Sequence, residues 1–242
     1  MSGAAPFVLV HPGAQDLAAM TASRLLVALQ DAITTRGRAD IALTGGSMGS
    51  AVVAALAEHP ARHAVDWDAV HVWWGDERYL PAGDGERNDT QNDAAGLTGL
   101  GLRAAHVHRV AGPEASESPE ESAAAYERTL REDGSGGWDI VLLGVGPDGH
   151  VASLFPGHPD QLRSGTLAIA VHDSPKPPPT RVSITLECLG NSREVWFVVA
   201  GADKAEAVAK GVGGAPAQES TAAVLRGQER TLWLVDEAAV SG

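Results

Sequence analysis

Short apolar runs alternate with longer, alanine-rich stretches along almost the whole of this chain. Phe7–Val10 is the first such run, and Asp16–Thr35 follows it. In that stretch Leu17, Met20, Leu25, Leu29 and Ile33 fall on one helical face. Asp40–Thr44 reads as a strand stopped by Gly45-Gly46, with Ser47 placed to cap a helix through Ala57. Val70–Trp74, Trp138–Leu143, Leu167–Val171, Glu194–Ala200 and Thr231–Val235 are further apolar runs. The segments Thr90–Leu97, Pro119–Glu132, Asp203–Lys210 and Thr221–Leu225 read as helices between them. Strands that alternate with helices need crossovers, which predict a mainly parallel sheet covered on both faces. The expected fold is therefore α/β, a three-layer α/β/α arrangement around a doubly wound, Rossmann-like sheet. Its 242 residues suit one domain spanning 1–242. The loops Pro81–Asp89, Gly112–Pro119 and His172–Thr180 are too short to argue for two.

Charge excludes several classes of partner. Lys+Arg 18 against Asp+Glu 31 leaves a net charge of −13, and no basic run interrupts it. Such a surface repels phosphate backbones and anionic lipid, so neither nucleic acid nor a membrane surface is expected as a partner. Met1–Val10 lacks a basic n-region, and no run of 18 apolar residues occurs. One cysteine, Cys188, allows neither an internal disulfide nor a thiolate zinc site. A reduced, cytoplasmic setting is the expectation. An anionic substrate would have to be held by a few placed cations.

Those cations lie near strand ends, where ligands of open α/β sheets bind. After the second run comes Thr44-Gly45-Gly46-Ser47-Met48-Gly49. Paired glycines let a ligand approach the backbone, and the helix behind them offers free N–H groups to an oxyanion. An ordinary strand-to-helix turn would look the same. The segment also matches G-x-S-x-G, the nucleophile elbow of a serine esterase. The last histidine, His172, is followed by a long His-free tail, which fits that fold poorly. No Gly-Lys-Ser/Thr follows the glycines, so this is not a Walker loop.

Gly75-Asp76-Glu77-Arg78 closes the next strand. Arg78 can grip a phosphate bidentately, and Asp76 or Glu77 suits a sugar hydroxyl or a proton transfer. A solvated loop with a local ion pair is the plainer reading. The third strand end, Gly144-Val145-Gly146-Pro147-Asp148-Gly149-His150, contains a literal G-x-G-x-x-G. A dinucleotide site there needs a continuous helix, and Pro147, Pro156 and Pro159 argue against one. The alternative is a loop that presents Asp148 and His150, the latter suited to proton transfer near neutral pH. Arg181 and Lys204 are further basic positions, Lys204 at an expected helix start.

Together these segments resemble the 6-phosphogluconolactonase family, within the wider sugar-phosphate isomerase and lactonase superfamily. The resemblance covers nearly the whole chain. It rests on Leu43-Thr44-Gly45-Gly46-Ser47, on Gly75-Asp76-Glu77-Arg78 with Pro81 and Asn88, and on Asp148-Gly149-His150 through Pro156-Gly157. Arg181 with Ser183 and Thr185, Gly201 with Lys204-Ala205, Pro216-Ala217 and Trp233-Leu234 extend it. Met48-Gly49 departs from the Thr-Pro usual in relatives. The sister group, glucosamine-6-phosphate isomerase/deaminase, usually carries a glutamate where this chain has Phe155, and Asp-Glu-Tyr where it has Asp76-Glu77-Arg78. The resemblance implies hydrolysis of 6-phospho-D-glucono-1,5-lactone in the oxidative pentose phosphate pathway. It implies His150 as base and then acid, Asp148 as its orienting partner, and no metal or cofactor. Gly45, Gly46, Ser47, Asp76, Arg78, Asn88, Arg181 and Lys204 are the implied substrate contacts. A monomer or weak homo-oligomer is expected. The alternatives carried forward are an aminosugar-phosphate isomerase/deaminase and a non-catalytic sugar-phosphate-binding protein.

Overall fold

The computed structural model describes residues 5–134 and 137–241. Residues 1–4 of the amino-terminal stretch read above lie outside them.

Six strands form one parallel sheet: β1 (Phe7–His11), β2 (Ala39–Leu43), β3 (Val70–Trp74), β5 (Ile140–Leu143), β8 (Glu194–Val199) and β9 (Arg230–Asp236). Their spatial order is β1-β9-β8-β5-β2-β3. Successive side chains of a strand point to opposite faces, and in every strand but β1, where Phe7, Val8 and Val10 are exposed, both faces are buried. Val141, Leu143, Phe197, Trp233 and Val235 join one core cluster. Ile140, Leu142, Trp196, Leu232 and Leu234 join the other. This is why the strands read in sequence as apolar runs and not as alternating patterns.

Helices cover both faces. The second cluster takes Leu25 and Leu29 of α1 (Ala14–Arg36) and Val52 and Val53 of α2 (Gly46–Glu58). The first takes Tyr126 and Leu130 of α4 (Pro119–Glu132) and Ala207 and Val208 of α6 (Ala205–Gly213). Helix α1 stops because Gly37 turns left-handed at φ 78° and returns its N–H to Ile33. Helix α4 starts where Ser118 accepts from the Glu121 N–H and Pro119 fills the first turn. The remaining helices are short: α3 (Asn88–Ala94), α5 (Leu186–Leu189) and α7 (Thr221–Val224). The three-layer, doubly wound expectation holds.

Three expectations need correction. Asp76–Arg78 is not a loop but strand β4, paired antiparallel with β7 (Arg181–Ile184). The run at 168–171 is β6 (Ala168–Val171), and it completes this separate three-stranded sheet, ordered β4-β7-β6, instead of joining the parallel one. Ser47 does not cap α2: Gly45 is the cap residue, Gly46 opens the helix at φ +74°, and Ser47 lies in its first turn. Only a glycine takes that φ without strain.

The topology selects a place for a ligand. The chain leaves β2 for β3 on one side, then resumes with β5 on the other side of β2. The carboxyl ends of β2 and β5 therefore flank the switch point of the sheet. The glycine turn follows β2, and the Asp148–His150 segment follows β5.

Candidate active site

Four segments meet at this switch point through a continuous series of contacts. The first link is the glycine turn. A Cβ on Gly45 would stand 1.9 Å from Asn88 Oδ1, so only glycine lets this turn close on Asn88. Gly46 and Ser47 are exposed at the start of α2, and the Gly46 N–H donates to Gln91 Oε1 at 3.0 Å.

Asn88 is buried and serves the next link. Its Nδ2 donates to the Asp76 carbonyl at 2.8 Å and to Asp76 Oδ1 at 3.1 Å, and its Oδ1 accepts from Arg78 Nη1. The Nε of Arg78 is buried and has no hydrogen-bond partner among the described residues. One side of this guanidinium is thus fixed by Asn88 while a buried N–H is left unpaired. Beneath it, Glu77 accepts from three backbone N–H groups, of Arg78, Asn88 and Asp89. Burial, with Asp89 adding, raises its carboxyl to about 7, while Arg87 pulls the other way. Glu77 is thus a buried brace for the turn into α3, not a group facing a substrate.

Asp76 links this half to the other. Its Oδ2 accepts from Ser153 Oγ at 2.6 Å and lies 3.8 Å from Arg181 Nη1. Arg181 is only 4% exposed. Its Nε donates to the Pro178 carbonyl at 3.1 Å, and its Nη2 donates to the carbonyls of Lys176 at 3.1 Å and Pro177 at 3.2 Å. Arg181, a substrate contact in the sequence reading, is placed here with its side chain bonded to the proline loop.

The loop after β5 carries the reactive pair. His150 Nδ1 lies 2.6 Å from Asp148 Oδ1. The carboxylate only accepts, so Nδ1 carries the proton and Nε2 is left as the basic nitrogen. Burial alone would raise the Asp148 carboxyl. The hydrogen bond and charge of His150, with Lys176 adding, hold it well below the usual carboxylate range. The His150 ring packs on Phe155 at 4.4 Å between centroids, and Phe155 is buried. A Cβ on Gly146 would stand 2.1 Å from the imidazole, so this glycine is what admits the ring. Pro147 lies in the turn, and no helix follows over 144–157. The G-x-G-x-x-G therefore shapes a loop that presents Asp148 and His150 and offers no dinucleotide-binding helix.

Lys204 stands at the amino end of α6 with its side chain 24% exposed. Desolvation lowers its ammonium below the ordinary lysine value; Asp203 opposes this, Lys176 adds to it, and Asp148 opposes it. Lys204 is thus within electrostatic reach of the reactive loop. Among the described residues no group of three or more His, Cys, Asp or Glu side chains is arranged to hold a metal ion. Lys176 was not singled out in the sequence. Its Nζ lies 3.5 Å from both Asp148 Oδ1 and His150 Nδ1. One signal was available: the chain has only three lysines, and Lys176 and Lys204 are two of them.

Comparison with known proteins decides the family. Residues 12–233 match the family described as glucosamine-6-phosphate isomerases/6-phosphogluconolactonase. The 6-phosphogluconolactonase of Streptomyces coelicolor is 46% identical over 246 residues, covering 98% of this chain and 94% of that protein. That of Mycobacterium tuberculosis is 40% identical over 239 residues, covering 96% of each. This chain belongs to the glucosamine-6-phosphate isomerase/6-phosphogluconolactonase family. A crystal structure of 6-phosphogluconolactonase from Thermotoga maritima shares the fold, with a TM-score of 0.84 at 24% identity over 96% of this chain and 100% of that one.

The family spans two chemistries, so the site residues matter. Where aminosugar isomerases usually carry a glutamate, this member has Phe155, and the structure buries it against the imidazole. Among the described residues no hydrogen bond joins Ser47 to a histidine.

Proposed function

We propose that this chain hydrolyses 6-phospho-D-glucono-1,5-lactone to 6-phospho-D-gluconate, with His150 as the proton-transferring residue. The observation that carries the reading is the 2.6 Å pair between His150 Nδ1 and Asp148, set beside Lys176 and within the charge field of Lys204 on a chain of net charge −13. An acidic protein that gathers cations at one strand-end site is built for an anionic ligand.

The chemistry follows from the pair. Nε2 of His150 takes a proton from water as the water oxygen bonds to the lactone carbonyl carbon. Asp148 stabilises the imidazolium that forms. The tetrahedral intermediate then expels the ring oxygen, which takes the proton back from Nε2. The products are the ring-opened hydroxyl and a carboxylic acid that ionises. No step needs a metal or an organic cofactor.

Binding is assigned by which polar groups remain available. Arg78, Lys204 and the backbone N–H group of Ser47 hold the phosphorylated sugar, beside a Gly46 whose own N–H is taken by Gln91. Asp76, Asn88 and Arg181 act one layer behind, because their hydrogen bonds close on one another and on the proline loop. The whole span 1–242 works as one sugar-phosphate domain, as a monomer or weak homo-oligomer in the cytoplasm, without nucleic-acid partners. The single cysteine and the acidic surface support that setting, and no described helix is long and apolar enough to cross a membrane.

The test is a coupled assay on freshly generated phosphogluconolactone, which also opens spontaneously. Acceleration far above that background is expected. A rate at background, or conversion of glucosamine 6-phosphate instead, overturns the reading.

A further inference from the structure

Lys176 sits on the His150–Asp148 pair in a way that phosphate binding does not explain. Its ammonium lies 3.5 Å from Asp148 Oδ1, the same oxygen that accepts from His150, and 3.5 Å from His150 Nδ1 itself. The side chain is 40% exposed, yet the backbone that delivers it is tightly held. The Lys176 carbonyl accepts from Arg181 Nη2 at 3.1 Å and from Ser174 Oγ at 2.9 Å, and its N–H donates back to Ser174 Oγ at 3.3 Å. Arg181 in turn is anchored in β7 and faces Asp76 at 3.8 Å. A buried clamp on the small sheet thus sets the height of an ammonium over the reactive loop on the large one. An exposed lysine recruited only by a bound phosphate would not need this support.

We propose that Lys176 is a positioning residue for the His150–Asp148 pair: it keeps the carboxylate ionised and seated beside Nδ1, and keeps the imidazole neutral, so that Nε2 faces the site as a base. Two physical effects combine. A cation beside a carboxylate favours its charged form, and a cation beside an imidazole disfavours the protonated ring. The second effect acts against Asp148, whose charge favours imidazolium. Lys176 offsets that pull while leaving the orienting hydrogen bond in place. The charged groups around the ring are Asp148, Lys176 and, further out, Lys204 with Asp203 beside it. Phe155 closes another side without charge. The catalytic use of this arrangement rests on the lactonase reading; the electrostatic arrangement itself does not.

The experiment is an NMR titration of the His150 imidazole in the ligand-free full-length chain, assigned with His150→Asn, for wild type, Lys176→Met and Lys176→Arg. Removing a partly screened cation at this distance should raise the His150 midpoint by about half to one pH unit. Lys176→Arg should return it to near the wild-type value. The acid limb of the kcat/KM profile on the phosphorylated lactone should move up by the same amount in Lys176→Met. An unmoved or lowered midpoint in a folded Lys176→Met protein overturns the proposal. So does a defect confined to KM for the phosphorylated lactone, which would make Lys176 a phosphate ligand. If wild type fails to hydrolyse the lactone at all, the function reading fails, and the imidazole titration still decides where Lys176 acts.

Discussion

Two groups of histidines in this molecule have opposite surroundings. His150 meets a carboxylate at 2.6 Å, packs one side on Phe155 and keeps Nε2 available. His71, His106 and His108 meet mainly each other. His71 Nδ1 lies 3.0 Å from His108 Nε2, the His71 and His106 rings stack at 3.8 Å, and His108 stacks on Trp73 at 3.7 Å. Burial lowers His71 to about 4, with Arg38 and His106 adding and Asp40 opposing. Burial lowers His108 as well. The same side chain is the proposed proton carrier in one place and a flat packing unit in the other. What separates them is whether the ring has a carboxylate on one nitrogen and an open path to the other. Nine histidines in a sequence therefore say little until their neighbours are known.

The largest effect that would break this contrast is at the first group. His150→Ala should lower kcat by about 10²–10⁴-fold, the usual range for general acid–base catalysis, with sugar-phosphate binding nearly intact. His71→Gln should leave kcat at pH 7.5 within about twofold, since no proton passes through that cluster. Steady-state kinetics on both variants decide the matter. A His150→Ala enzyme with more than half the wild-type turnover removes that residue from the mechanism.

Next in size is the anion grip that only the first region possesses. Lys204→Met should raise KM for the phosphorylated lactone about 10- to 150-fold, the value of one charge-assisted hydrogen bond. Hydrolysis of unphosphorylated gluconolactone should barely change. Arg78→Met should weaken binding similarly but also loosen Asn88, so Lys204 is the cleaner probe. Equal losses on both substrates would mean that the phosphate is held elsewhere. Ser47→Ala should cost only a few-fold in KM, because the backbone N–H remains and only one hydroxyl contact goes. A serine-directed phosphonate that labels Ser47 and stops turnover would reinstate the esterase reading.

Sequence made one part of this site legible and hid another for a physical reason. The parallel core was readable because its strands, β1 apart, are buried on both faces, which forces unbroken apolar runs such as Ile140–Leu143. Its strand ends then marked Gly45, Gly46, Asp148 and His150. The small antiparallel sheet was not readable. Asp76–Arg78 is three polar residues long, and it becomes a strand only because Arg181–Ile184, far along the chain, pairs with it. Propensity carries no trace of such a partner. That pairing sets Arg181 opposite Arg78 and brings its guanidinium to 3.8 Å from Asp76, a juxtaposition no local pattern in the sequence announces. Lys176 was hidden by the proline loop, since a lysine among prolines gives no periodic signal.

The smallest predicted effect lies in the second histidine group and concerns stability. The folded pKa of His71, about 4, is below the 6.5 of a free imidazole, so the unfolded chain takes up a proton that the folded chain refuses. Stability from this group is complete above about pH 6.5 and falls as the pH drops toward 4. Taken at face value, the shift corresponds to about 3 kcal/mol. His71 is partly exposed and water screens it, so about 1–2 kcal/mol is the reasonable size. For a chain of this length that amounts to roughly 2–8 °C in Tm. His71→Gln keeps a hydrogen-bonding side chain beside His108 but cannot titrate. The Tm lost between pH 7.5 and 4.5 should therefore be smaller in His71→Gln than in wild type by that margin. If both proteins lose the same Tm over this interval, the His71 cluster is not a proton-excluding unit, and the contrast with His150 would rest on geometry alone.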